Sequence, residues 1–169
     1  MHALFIGSLW LHLLAVTLWL GGSLFLVFVL MPVVRRTDMP GLSMDLVRPI
    51  ALRFKWFGWG CFGLLATTGI FNLSYQGIGW ERLMETEFWT TSYGRALGWK
   101  LGLFGLILLS SAAHDFVIGP RASQTFRENP NSEKFFRLLL TMRWAGRVNL
   151  LLALVVVGFA VMLSRGWPW

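Results

Sequence analysis

Several common ingredients are scarce in this sequence, and each scarcity excludes something. One cysteine, Cys61, occurs in 169 residues. That excludes an internal disulfide and any CxxC metal or redox motif, and leaves Cys61 as a small apolar packing residue. Met31, Met39, Met44, Met84, Met142 and Met162 form no Met-x-Met or Met-x-x-Met pair, so the thioether arrays that copper(I) favours are missing. The first apolar run has no basic n-region and no small-x-small cleavage site after it. It also far exceeds a signal h-region, so no cleaved signal is expected. Charge is scarce as well, at 14% of residues against 56% hydrophobic. That balance belongs to an integral membrane protein rather than a soluble globular one.

What is present is four long apolar runs, at about 4–34, 54–75, 97–119 and 148–163. Each reaches or nearly reaches the ~20 residues that a helix needs to cross the hydrocarbon. The first and last run long at one end, as tilted or interfacially extended helices do. The expected fold is all-α: a four-helix transmembrane bundle in one membrane domain, 1–169, made of two antiparallel hairpins. The formal net charge of +7 is distributed by connection. Arg35, Arg36, Arg48, Arg53 and Lys55 crowd the first connection, and Arg121, Arg127, Lys134, Arg137, Arg143 and Arg147 the third, while the second holds only Arg82 and Arg95 against three glutamates. The positive-inside bias then puts the first and third connections in the cytoplasm and both termini outside, in a bacterial-type inner membrane. Basic loops beside anionic lipid account for the charge without a nucleic-acid partner.

The two halves look weakly related, as a parallel repeat. Helix one ends LMPVVRR and helix three ends VIGPRAS, and His12 and Lys100 each lie twenty residues before the proline. His12 and Lys100 would therefore match in depth near the outer surface. Gly58, Gly60 and Gly63 on one helix, and Gly98, Gly102 and Gly105 on another, fit close helix packing or room for a flat cofactor. Trp80, Leu83, Met84 and Phe88 fall near helical spacing, which predicts a short amphipathic interfacial helix. Ser132 is a candidate N-cap for a helix running on into span four.

Few polar side chains enter the spans, and an intramembrane ionisable group is costly enough to be informative. His12 is either a ligand for iron, copper or zinc, a proton relay, or an imidazole hydrogen-bonded to a neighbour. Lys100 either snorkels to the outer surface or faces a carboxylate or propionate. Lys100, Ser111 and His114 share a helical stripe. Asp115, adjacent to His114 and about 100° round an α-helix, is expected to leave the His114 ring and pair with Arg121, Arg143 or Arg147. Thr67 and Thr68 count for little, because such hydroxyls commonly bond back to their own helix. His114 lies fourteen residues deeper than the His12–Lys100 level, about 21 Å at the α-helical rise. His12 and His114 are thus not expected to share one iron. His2 joins an outer site only if the N-terminus folds back.

The segments WLHLLAVTLWLGGSLF, RFKWFGWGCFGLLATTGIFNL and GWKLGLFGLILLSSAAHDFVIGPR, followed by an arginine-led fourth helix, resemble the copper-resistance-D-like (CopD) membrane family. That resemblance implies copper uptake or resistance. His12 and Lys100, flanked by Trp99 and Leu101, also carry a weaker likeness to the HemJ type of membrane protoporphyrinogen oxidase, which implies b-type haem; the LMPVVRR end departs from it. The leading expectation is a redox or metal-handling membrane protein holding haem b, or copper as the alternative, near the outer side. His12 would be the ligand, Lys100 a second ligand or propionate partner, and Trp10, Trp19 and Trp99 the walls. His114 with Arg147 would form a second, inner polar or metal site. Quinol or a redox protein would be the electron partner. Two other readings stay open: copper transport without haem, and a small structural subunit among other membrane subunits.

Overall fold

The computed structural model describes the backbone of residues 2–36 and 40–165, with side chains described for 2–34 and 47–162. Every regular element in these residues is helical. The chain divides into two compact units, Met1–Thr86 and Glu87–Trp169.

In the first unit, α1 (His2–Phe25) continues through a π turn (Leu26–Leu30) into α2 (Met31–Arg36). The long α3 (Pro40–Tyr75) packs back along α1. The pairing is antiparallel: Phe5 stacks on Tyr75, His12 meets Thr68, and Trp19 packs on Phe62. Near the far end the Phe54 ring fills the space that a side chain on Gly22 would need, so a larger residue at 22 would require that ring to move. Ala15, Cys61, Phe62 and Leu65 are the buried apolar seam. Cys61 is buried in it as expected.

Two short helices follow α3, α4 (Trp80–Met84) and α5 (Thr86–Thr90). A single amphipathic helix was the expectation here. Glu85 is extended between them, at φ −76° and ψ 121°, and splits the segment. Phe88 is buried, whereas Trp80 and Met84 are exposed.

The second unit repeats the plan: α6 (Ser92–Ala112), a π turn (Ala113–Ile118), α7 (Gly119–Glu128) and α8 (Glu133–Arg165). Thr91 caps α6 by accepting from the Gly94 N–H at 3.0 Å. The Phe88 carbonyl occupies the space of any side chain at 94, so this corner requires glycine. Ser132 caps α8 as expected, accepting from the Phe135 N–H at 3.3 Å, and α8 runs unbroken to Arg165. α8 packs on α6 and α7, burying Ile107, Ala122, Phe135, Leu150 and Ala153.

The two π turns share one cause. Pro32 and Pro120 have no N–H to return to the carbonyl four residues earlier, and their rings crowd that carbonyl. The helix widens just before each proline: the Met31 N–H bonds to Leu26 O and the Gly119 N–H to His114 O, both five residues back. Pro49 is accommodated inside α3 without such a turn.

Three stretches are long and apolar enough to cross a membrane: His2–Val34, Ser92–Glu128 and Glu133–Met162. α3 matches them in length, but Arg48, Arg53, Lys55, Trp56, Trp59, Thr67, Thr68 and Asn72 dilute its hydropathy. Large apolar side chains stay exposed along the helices, among them Leu4, Leu13, Leu18, Phe28, Leu109, Leu151 and Val161. An aqueous surface would not tolerate that much apolar area, but lipid does. The protein is therefore a multi-pass membrane protein surrounded by bilayer. Of the candidate packing glycines, Gly60, Gly63, Gly102 and Gly105 meet no described neighbour within 4 Å, whereas Gly58 lies against Trp19 and Gly98 against Trp89.

A histidine-centred polar layer between two helices

The α1–α3 interface is layered. Starting from the N-terminal end of α1, the first layer is the Phe5–Tyr75 stack, with ring centroids 4.3 Å apart and planes within 11°. One turn on come Ser8 and, at the matching register of α3, Asn72. Then come His12 and Thr68, followed by Ala15 with Leu65, and then Trp19 on Phe62 at 5.0 Å. Aromatic and aliphatic layers thus bound two polar ones.

His12 Nδ1 lies 2.8 Å from Thr68 Oγ1. The Thr68 hydroxyl donates to the Leu64 carbonyl at 2.6 Å. A threonine has one hydroxyl proton, so with that proton committed Thr68 accepts from His12, and Nδ1 carries the hydrogen. The lone pair of the neutral ring then sits on Nε2, the tautomer in which imidazole coordinates a metal through that atom. The ring's Cε1 lies over Gly69, and a methyl there would sit at an ordinary 3.7 Å. Thr68 was discounted in the sequence because it bonds back to its own helix. It does so, and the remaining lone pairs of its oxygen also orient His12.

His2 begins α1 and is exposed. It stands ten residues from His12 on one continuous helix, about 15 Å away at the helical rise. The fold-back that would bring it to an outer site does not occur. Trp19 walls the layered interface, whereas Trp10 lies on an exposed face of α1.

In the second unit, Lys100 is half-buried on α6 and Trp99 is exposed. Asn149 of α8 donates to Ser111 Oγ at 3.0 Å. His114 Nδ1 lies 2.8 Å from Asp115 Oδ1. That corrects the expectation that Asp115 would turn away from the ring. The estimate of 100° between neighbours assumed an α-helix, and residues 113–118 form a π turn, which winds through a smaller angle per residue. The carboxylate accepts the Nδ1 proton, so His114 also presents Nε2 when neutral. Arg147 is exposed, with its guanidinium 5.5 Å from the centre of the Trp144 ring.

The described residues contain no group of three or more His, Cys, Asp or Glu side chains that could together hold a metal ion. Imidazole and neutral oxygen are the donors on offer at the His12 layers. They suit copper or iron with part of the coordination sphere supplied from elsewhere, by water or a macrocycle.

A protein of Aquifex aeolicus (strain VF5), described only as uncharacterized, is 26% identical over 160 residues, covering 94% of each chain. No solved structure matches. Residues 48–163 match the family described as copper resistance protein D. This stretch takes in Thr68, Asn72, Lys100, His114 and Arg147 and leaves His12 outside it. With more than half of its length matched, the chain belongs to the copper resistance protein D family.

Proposed function

We propose that this protein handles copper within the bilayer, with His12 Nε2 as the coordinating nitrogen and copper as cargo. The observation that carries the reading is the Leu64–Thr68–His12 hydrogen-bond chain, which fixes the metal-binding tautomer of a histidine inside an apolar helix. Membership in the copper resistance family supports the choice of metal. The protein works as a four-span bundle with both termini extracytoplasmic, α3 being the fourth span. The His12 layers, near the start of α1, then lie toward the outer face. The shared order of long helix, π turn, proline and second long helix supports the reading of the two units as a parallel repeat.

A second reading, b-type haem, is favoured by one observation. His12 is an imidazole set inside an apolar helix, and a porphyrin brings four of the iron's donors, so a single imidazole suffices for the protein's share. Haem would supply one-electron redox chemistry at His12, with a quinol or redox protein as donor. His114, oriented by Asp115, belongs to a separate inner site, with Arg147 as its cationic neighbour.

Absorption spectra of the purified protein, oxidised and dithionite-reduced, with metal analysis of the same sample, separate these readings. Stoichiometric copper without a Soret band, lost in His12→Ala and kept in His114→Ala, is the expected result. A Soret band with sharp reduced α and β bands would move the assignment to haem. A colourless, metal-free protein under copper loading would overturn both and favour a structural subunit.

A further inference from the structure

Two oxygens in the His12 region are unsatisfied. Ser8 Oγ and Asn72 Oδ1 are buried and have no hydrogen-bond partner, and their residues are only 9% and 8% exposed. Buried polar atoms are nearly always paired, and those that are not commonly face a water or an ion. Ser8 lies one turn before His12 on α1, and Asn72 one turn after Thr68 on α3. In an antiparallel pair that is the same level. Helical side chains tilt toward their own N-terminus, so His12 leans toward the Ser8 level while Asn72 leans back toward the Thr68 level. The Phe5–Tyr75 stack closes this level on one side, and Ala15 with Leu65 on the other. Among the described residues of α3, the sulfur of Cys61 lies about two turns from Thr68 along the helix.

We infer that the His12 layer takes copper as the divalent, still hydrated ion, with Ser8 Oγ and Asn72 Oδ1 accepting hydrogen bonds from the metal-bound water. The inference rests on the reading of His12 as a copper ligand. Imidazole and neutral oxygen suit Cu(II), whereas Cu(I) prefers thiolate and thioether. Water attached to a dication is polarised and donates more strongly than bulk water. It therefore matches two acceptors that the protein itself leaves unpaired. Ser8 and Asn72 are positioning residues in this scheme, acting on the metal through its water.

The test titrates the purified full-length protein with Cu(II), and separately with Ag(I) as a redox-inert stand-in for Cu(I). Expected for Cu(II) are an EPR signal with a coordinated imidazole and exchangeable water protons in pulsed EPR. Ser8→Ala and Asn72→Leu should each weaken Cu(II) binding by about tenfold or more and reduce the water-proton coupling, with Ag(I) binding unchanged. Asn72→Asp, which keeps the side chain's shape, should tighten Cu(II). Unchanged Cu(II) affinity and water coupling in all three variants would overturn the inference. So would Ag(I) binding where Cu(II) does not. In either case a metal signal lost in His12→Ala leaves the copper reading standing. Failure of the wild-type protein to bind either ion would overturn both.

Discussion

At the residue scale, the polar layers of the first unit carry a cost in stability. A buried polar atom without a partner costs about 1–3 kcal/mol, and Asn72 Oδ1 is one. Asn72→Leu should therefore raise stability in detergent, by about 1 kcal/mol, even as it weakens copper binding. Denaturant unfolding followed by circular dichroism checks this, and a loss of stability would mean that Asn72 is a structural residue. Thr68→Val should do the reverse. It keeps the shape but strands the His12 Nδ1–H, so stability should fall by about 1–2 kcal/mol. Nitrogen-15 spectra of the imidazole should then show a mixture of tautomers; a single unchanged tautomer would sink the role assigned to Thr68. The sequence alone exposed part of this site. His12 stands out because an imidazole in LWLHLLAVTLWLGG has no cheap explanation. Ser8 and Thr68 do not stand out, because hydroxyls are common in spans, and only the α1–α3 register reveals which of them lie opposite the ring.

At the scale of elements, proline is the sequence feature whose consequence ran furthest. LMPVVRR and VIGPRAS are legible as matching helix ends, yet neither proline stops its helix. Each proline instead sits just beyond a π turn, and the chain stays helical into α2 and α7. The consequence is chemical in the second unit, where the π turn brings neighbouring His114 and Asp115 within 2.8 Å. A pattern argument based on 3.6 residues per turn could not have found that pair. Pro120→Ala restores the missing N–H and removes the ring's crowding. It should let the segment relax toward a regular α-helix and separate the two side chains. The His114 nitrogen-15 signals should then lose the sign of a carboxylate-held Nδ1–H, whereas a persistent pair would show that the π turn has a cause other than Pro120. The short α4 and α5 are the converse case. Apolar spacing predicted one helix, and the extended backbone at Glu85 divides it, a break with no proline or glycine to announce it.

At the scale of the whole molecule, composition is decisive for the bilayer, and the charge distribution predicts a topology that can be tested. The scarcity of charge placed the chain in a membrane, and three described stretches have the required length and apolarity. α3 is the instructive exception. It carries Thr68 and Asn72 of the His12 layers, and its polar residues keep it outside the three stretches that are long and apolar enough to cross a membrane. A crossing by α3 would return the chain after Tyr75 to the side on which α1 begins. If α3 crosses, and the basic connections stay in the cytoplasm as lysine and arginine bias dictates, then His2 and Gln76 both face outward. Both residues are exposed in the structure, so each can be replaced by cysteine in a Cys61→Ala background and challenged with a membrane-impermeant maleimide on intact cells. Labelling of both His2→Cys and Gln76→Cys before permeabilisation is expected. That pattern would put both units in the same orientation, as a parallel repeat requires, and would set the His12 layers toward the outer face, where a hydrated ion arrives. Labelling of only one of the two before permeabilisation would mean that α3 does not cross, and would remove the repeat.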